Sequence, residues 1–424
     1  MDRRKSLCLA RRIGWRSKRS WCARVGADAH SLRCTRGWRA SQSHSVLGQR
    51  RVMSARVAIL ITNLAGGGAE RVCVNVANTL VRRGVAVDMV LLRSVGAFLK
   101  LLDPRVNVVE LSASRIRHSF LPLVKYLRSA KPNAMMANIW PLTAMAVAAR
   151  IVSRVSCNVV AVEHSTWSKS ELLSRRFVEW LARTSMRSLF LRAGAVVTVS
   201  RGAADDLAIF ARIPRDRIAV IYNPIVGDRV LAADSHPIAP REWSEGEHHK
   251  LLAVGTLKSI KDYSTLLRSV AVLRRTTDTK LLILGEGDLR SSLVAEASNL
   301  GIAESVFLPG FVDRLGPYYE AADVHVLSSI AEGFGNVIVE ALNAGTPVVS
   351  TDCPSGPREI LADGRYGRLV PVGDADALAK AISESLHASH DVAALKARAQ
   401  DFSIDEAVDQ YVELLLPVES RKAK

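Results

Sequence analysis

Short runs of aliphatic and β-branched residues alternate along this chain with longer segments whose apolar positions recur at helical spacing. Arg56–Thr62 (RVAILIT) is apolar at successive positions, which predicts a strand buried on both faces. Ala65–Gly68 predicts a glycine-rich turn. Ala69–Arg83 predicts a helix, with Gly84 in the left-handed cap position that ends it. Strands are then predicted at Val85–Leu92, Val106–Leu111, Ala134–Asn138, Asn158–Val162, Ala195–Val199 and Arg217–Tyr222, with helical patterns in the intervals. Asn223–Lys250 breaks the rhythm with Pro224, Pro237, Pro240 and three histidines and no apolar period, as an interdomain connection would. The alternation restarts at Leu251–Gly255 (LLAVG) and continues through Lys280–Leu284, Ser305–Leu308, Asp323–Ser328, Pro347–Thr351 and Arg368–Val370. A helix at Ala375–Leu386 and two later helical patterns close the chain. Strands alternating with helices predict parallel sheets joined by right-handed crossovers. The expected fold class is therefore α/β, with domains at 54–225 and 250–400, a linker at 226–249 and a helical tail at 401–424.

Composition sharpens this picture at the N-terminal end. Residues 1–53 hold fourteen Lys/Arg against Asp2 and Asp28, so +12 of the chain's net +17 lies there. The high isoelectric point is thus a property of this leader and does not argue for a nucleic-acid partner. The leader has no apolar core of the kind a secretory signal needs. It is expected either to precede a functional start at Met53 as translated upstream sequence or to act as an Arg- and Ser-rich transit peptide. Six cysteines, three of them in the leader, show no CxxC or Cys/His spacing for a metal, and the pattern predicts a reducing compartment without a disulfide framework. The most apolar stretch, Asn133–Ala149, is interrupted by Asn138, Pro141 and Thr143, so no transmembrane helix is expected.

In open parallel sheets ligands sit beyond the carboxyl ends of the strands, which directs attention to the loops there. The strongest signal is Ile330–Gly345 (IAEGFGNVIVEALNAG), which follows the strand Asp323–Ser328. Gly333 and Gly335, on either side of Phe334, let backbone N–H groups approach an anion closely. The helix expected to begin near Asn336 adds unpaired N–H groups and the positive end of its dipole, a setting suited to a diphosphate. Glu332 in the loop is placed to accept hydrogen bonds from a sugar, and Glu340, about one turn inside the helix, from a ribose. Two glutamates alone would more simply be helix-end and surface acids; the glycines between them and the strand before them favour a site.

With these residues in view, the chain resembles glycosyltransferase family 4, whose fold is GT-B: two facing Rossmann-like domains with the active site in the cleft between them. Glu332 and Glu340 form an E-x7-E motif, and the resemblance runs over roughly 56–415. It is carried by AGGGAERV (Ala65–Val72), EHS (Glu163–Ser165), VTVSRGAADDL (Val197–Leu207), YNPI (Tyr222–Ile225), VGTLKSIKD (Val254–Asp262), GEGDLR (Gly285–Arg290), FLPGF (Phe307–Phe311) and above all Glu332–Leu361. It implies a retaining transferase, a nucleotide-sugar donor held by the C-terminal domain, an acceptor held by the N-terminal domain, and no required metal or other cofactor. The donor expected is a UDP-sugar carrying a hexose or N-acetylhexosamine. The segment DCPSGPREIL (Asp352–Leu361) resembles members that act on lipid-linked glycans. That points to polysaccharide or lipopolysaccharide assembly in the cytoplasm, peripheral to the inner face of the cell membrane.

Without a metal, cations and dipoles must neutralise the leaving diphosphate. Lys261 matches the lysine that the family places in the first C-domain loop, whereas Thr256 stands where the family usually has an arginine. Lys258 is near enough in sequence to substitute, and the place of both lysines at a strand end favours a phosphate role over a merely solvated loop. Gly67 and Gly68, in the Gly66-Gly67-Gly68 turn, would allow the donor to approach the opposite domain closely, or would simply make a tight turn. Arg71 occupies the third glycine position of a dinucleotide fingerprint and the next strand ends Leu92-Arg93-Ser94 without an acid, so a dinucleotide oxidoreductase is disfavoured. The other rival is a noncatalytic sugar-nucleotide-binding subunit, which the Glu332/Glu340 pair opposes and Thr256 mildly favours. His164, just past a strand end, is either structural or a cleft residue touching the reacting sugar or acceptor. It is not expected to be the proton-transfer base, a role the resemblance gives to the leaving phosphate. Asn63, Asn138 and Glu163 are secondary strand-end candidates. Arg175–Arg192 reads as a basic amphipathic helix, with Arg176, Arg183 and Arg187 on one face around Trp180 and with Val178, Leu181 and Leu189 towards another. It would either dock on an anionic membrane surface or lie solvated on the N-terminal domain.

Overall fold

The computed structural model describes residues 55–169, 176–227, 239–312 and 314–417. The leader reading, the 228–238 part of the linker, Arg175 and the last residues of the tail lie outside the described residues.

Two parallel sheets form. The first contains β1 (Arg56–Ile61), β2 (Ala86–Leu91), β3 (Asn107–Glu110), β4 (Ala134–Asn138), β5 (Asn158–Glu163), β6 (Ala195–Thr198) and β7 (Ile218–Val220), in the order β3-β2-β1-β4-β5-β6-β7. The second contains β8 (His249–Val254), β9 (Thr279–Leu284), β10 (Val306–Gly310), β11 (Val324–Leu327), β12 (Val348–Thr351) and β13 (Arg368–Val370), in the order β10-β9-β8-β11-β12-β13. The central strands β1, β4, β5 and β8 are buried on both faces almost end to end, as their uninterrupted apolar runs require. Each sheet is sandwiched by helices: one face of the first packs on Gly68–Arg82, for example, and one face of the second on Tyr263–Leu273.

Strand order reverses once in each sheet, between β1 and β4 and between β8 and β11. A crevice must open at the carboxyl ends of such strand pairs, because the connecting helices leave to opposite faces. The loops at these two points are those after β1 (Gly66–Gly68), β4 and β5 (Glu163–Thr166) in the first sheet, and those after β8 (Gly255–Asp262) and β11 (Ser328–Gly335) in the second.

Two segments depart from the reading of the sequence. The 226–249 linker is not merely a connection: Trp243, on a single turn at Arg241–Ser244, is fully buried in the second core and donates its indole N–H to Leu251 O at 3.2 Å. The 401–424 tail supplies the helix Ile404–Leu415 to the first domain, where Tyr411, Val408 and Leu415 join the core under β1. Arg83 holds it from outside through Asp405 and Asp409, at 3.0 and 2.6 Å. Asn158 donates to the carbonyls of Leu414 and Leu415. The apolar stripe of this helix needs a partner, and the first sheet offers the uncovered face.

Candidate active site

The donor loop follows β11. Thr351 Oγ1, from β12, donates to Ser329 O at 2.6 Å, and Ile330 N–H donates to Ile260 O at 2.8 Å, so the neighbouring strand and the loop after β8 both hold it. Glu332 receives Lys261 Nζ at 2.6 Å and Ser329 Oγ at 2.6 Å, all on Oε1. The Lys261 and Glu332 side chains are only 18% and 12% exposed, so this ion pair is far less screened than a surface one. The structure therefore joins two residues that the sequence placed 71 positions apart.

Gly335, at φ 105°, turns the chain into the helix Asn336–Ala344 from the left-handed region that favours glycine. No side chain caps this helix, so its first N–H groups remain for an anion. Glu340 sits just over one turn inside it and accepts Tyr319 Oη–H at 3.0 Å. Burial raises its pKa, with the charge of Arg71 and the Tyr319 hydrogen bond opposing the rise. Arg71, read in the sequence only as a misplaced third glycine, thus brings the first domain's charge to the second domain's acid. Its guanidinium lies 4.5 Å over the Phe98 ring.

The first domain closes on this loop. Gly68 O accepts Asn336 Nδ2–H at 3.4 Å, while Asn336 Oδ1 accepts Asn223 Nδ2–H at 2.7 Å. Gly333 lies so close to the loop after β5 that a Cβ built on it would stand 1.8 Å from His164 O. Glu359 accepts the N–H groups of Arg201 and Gly202, each at 2.9 Å, and the Tyr222 hydroxyl at 3.0 Å, which fastens the second domain to a helix N-terminus of the first.

His164 is fixed from one side. Asn138 is fully buried and its Nδ2 donates to the carbonyls of Leu60 and Met136, at 3.1 and 3.3 Å. Its Oδ1 must then be the acceptor 3.0 Å from His164 Nε2, so that nitrogen carries the proton. Nδ1 is left as a buried acceptor with no hydrogen bond. Burial lowers the His164 pKa to about 4, so the ring is neutral. Next to it Glu163 is fully buried, bonded to Thr143 Oγ1 at 2.7 Å and Trp140 N–H at 3.3 Å. Burial pushes its pKa up to about 7 against the pull of those two bonds.

Residues read from the sequence differ in what they offer the site. The Phe334 side chain is 2% exposed and packs with Tyr222 and Phe402, ring centroids 5.6 and 5.4 Å away, so only its backbone belongs to the donor loop. Lys258 is exposed, and the acid its charge acts on is Glu70, whose pKa burial raises and Lys258 opposes. Gly67 is hemmed by that same Glu70 side chain.

In the basic helix Arg176–Phe190 the buried residues are Ala182, Met186 and Phe190, and Val178 and Leu189 of the expected apolar face pack against them. Leu181 is instead exposed with Phe177 and Trp180.

Two family models match the chain: one described as Glycosyltransferase Family 4 over residues 66–229, and one described as Glycosyl transferases group 1 over residues 248–388. The chain belongs to the family 4 glycosyltransferases. Relatives of this glycosyltransferase include the N-acetylgalactosamine-N,N'-diacetylbacillosaminyl-diphospho-undecaprenol 4-alpha-N-acetylgalactosaminyltransferase of Campylobacter jejuni, 26% identical over 78% of this chain and 90% of the relative. The lipopolysaccharide core biosynthesis glycosyltransferase LpsE of Rhizobium meliloti is 29% identical over 82% of this chain and 96% of the relative. Among solved structures, Anabaena HepE in complex with UDP and glucose superposes with a TM-score of 0.71 at 20% identity, over 85% of this chain and 99% of HepE. The two-sheet arrangement is accordingly the GT-B fold.

Sequence reasoning singled out Lys261, Glu332, Glu340 and the glycines. It assigned no role to Thr166, Ser200, Tyr222, Glu359 or Arg71, although all of these but Thr166 lie in motifs it singled out. Among the described residues no helix is long and apolar enough to cross a membrane.

Proposed function

We propose that this glycosyltransferase moves a hexose or N-acetylhexosamine from a UDP-sugar to a lipid-linked glycan, with retention at the anomeric carbon and without a metal. The reading is carried by the Lys261–Glu332 pair, set beside an uncapped helix N-terminus in a cleft closed by Gly68 and the His164 loop. On donor binding Lys261 turns to the diphosphate and Glu332 to a sugar hydroxyl, each exchanging its partner for the ligand. Glu340 takes the ribose on the other side of the diphosphate. The acceptor oxygen then bonds the anomeric carbon on the face from which the diphosphate oxygen leaves, and the acceptor's proton passes to that leaving oxygen. Lys261 and the helix N–H groups stabilise the charge that builds there. His164, neutral and already donating through Nε2 to Asn138, suits hydrogen bonding better than proton abstraction.

Work at the inner face of the cell membrane is part of the same reading. Arg183, Arg187 and Arg192 line a groove of about 680 Å³ with Trp180, Leu191 and Phe210, and Phe177 and Trp180 are 70% and 59% exposed beside it. Apolar rings ringed by arginine suit an anionic lipid interface. The relatives named above act, by their names, on an undecaprenol-linked substrate and on lipopolysaccharide core.

The deciding experiment incubates the protein with a panel of nucleotide sugars and a lipid-linked acceptor extract, with and without a chelator, and reads products by mass spectrometry and anomeric configuration by NMR. A UDP-sugar turned over to an α-linked product in the presence of chelator is expected. Turnover only with other nucleotides, only with metal, or with inversion would each overturn that part of the proposal.

A further inference from the structure

The donor loop carries a difficulty of its own. Gly333 and Gly335 give it close approach, but a glycine-flanked peptide rotates easily. A rotated peptide would present a carbonyl oxygen where the donor's anionic and hydroxyl oxygens need an N–H. Something must hold these planes.

The structure supplies a holder on the other domain. Thr166 Oγ1, just past His164, lies 2.6 Å from Glu332 O. Ser200 Oγ lies 2.7 Å from Gly333 O. Both side chains are buried, at 6% and 0% exposure for their residues. A carbonyl oxygen only accepts, so each hydroxyl must donate its hydrogen across the cleft. Ser200 also accepts Ala203 N–H at 3.1 Å as the cap of the helix Arg201–Ala211, which uses one lone pair while its hydrogen goes to Gly333 O.

A trans peptide is planar, with its C=O and N–H antiparallel. Fixing Glu332 O on Thr166 therefore fixes the Gly333 N–H on the opposite side of the loop. Fixing Gly333 O on Ser200 does the same for the Phe334 N–H. The burial of the Phe334 ring between Tyr222 and Phe402 anchors the next residue, so neither plane can swing freely.

We propose that Thr166 and Ser200 are positioning residues: from the acceptor-side domain they set the peptide planes of the donor loop, so that the donor site is complete only when the two domains are together. This rests on the reading of Glu332–Gly335 as the donor loop.

The test uses the full chain with Thr166→Val, which keeps the shape of the side chain and removes the hydrogen, and with Thr166→Ser, which restores it. Ser200→Ala is a second variant, compared with Thr166→Val because it also loses the helix cap. UDP binding is measured by calorimetry, and KM for donor and acceptor separately with the donor that the panel identifies. Thr166→Val is expected to lower kcat/KM for the donor roughly 10-fold, the scale of one buried hydrogen bond. The acceptor KM should not change, and Thr166→Ser should return to near wild-type kinetics. A local defect in the acceptor-side domain would instead raise the acceptor KM. Wild-type donor kinetics in Thr166→Val, or a loss that Thr166→Ser does not repair, overturns the proposal while leaving the donor reading intact. Failure of the wild-type protein to bind UDP or any other nucleoside diphosphate overturns both.

Discussion

Replacing Glu163 by Gln should make the protein more stable than wild type at alkaline pH and not at acidic pH. Glu163 closes β5 immediately before His164, with no exposed surface and two hydrogen-bond donors, too few to offset the loss of water around a carboxylate. Its pKa rises from 4.5 to about 7 because burial penalises the charged form. A raised folded-state pKa means that the native protein holds this proton more tightly than the unfolded chain. The resulting stability is fully present below about pH 4.5 and is lost as pH climbs through about 7. The rise corresponds to about 3 kcal/mol at 1.36 kcal/mol per pH unit, of which about 2.5 kcal/mol should disappear between about pH 5 and about pH 8. Glutamine does not titrate, so the difference in unfolding free energy between wild type and Glu163→Gln should change by that amount across the interval. His164 changes in the opposite sense, gaining stability as pH rises from about 4 to 6.5, but it is common to both proteins and cancels in the difference. The assay is urea denaturation at the two pH values, followed by tryptophan fluorescence, to which Trp140 and Trp167, buried beside Glu163 in an edge-to-face pair, contribute. A difference that stays constant with pH would show that Glu163 ionises normally in the folded protein and that the burial argument is wrong.

Three further outcomes are expected. Lys261→Ala should weaken UDP binding and slow turnover together by ~2–4 kcal/mol in transition-state stabilisation, because it removes the diphosphate cation and strands Glu332 with only Ser329; normal kinetics in calorimetry and initial-rate assays would move the cation's role elsewhere. Glu332→Gln should abolish most transfer while UDP affinity stays nearly unchanged, whereas Glu340→Gln should chiefly weaken UDP; the reverse pattern would put the sugar and the ribose the other way round along this helix. Replacing Arg176, Arg183 and Arg187 together by Gln should reduce co-sedimentation with anionic vesicles at low salt, and binding that is indifferent to the substitutions would leave the helix a solvated element of the first domain.

The amino-acid sequence by itself determined the class of fold and the chemistry-bearing loop. Continuous apolar runs such as RVAILIT suit strands covered on both faces, and their alternation with helix-length periods predicts parallel sheets. The E-x7-E spacing, with glycines at a strand end, likewise marks the loop, although remote residues hold it in place. Tertiary structure decided everything that depends on contacts between remote residues. Trp243 stands among prolines and histidines and carries no period, so its burial became visible only with the second core around it. Ile404–Leu415 announces an amphipathic helix but not the domain whose face it covers. Phe334 sits in the donor motif, yet its ring belongs to an aromatic cluster completed by Tyr222 and Phe402 from elsewhere in the chain. The polar contacts were the least legible of all. Asn138 and His164, Thr166 and Glu332, Ser200 and Gly333, and Glu359 and Arg201 are short or ordinary polar residues. Periodicity registers only whether a position is apolar, so a serine that orients a peptide across a cleft reads the same as one in solvent until the two domains meet.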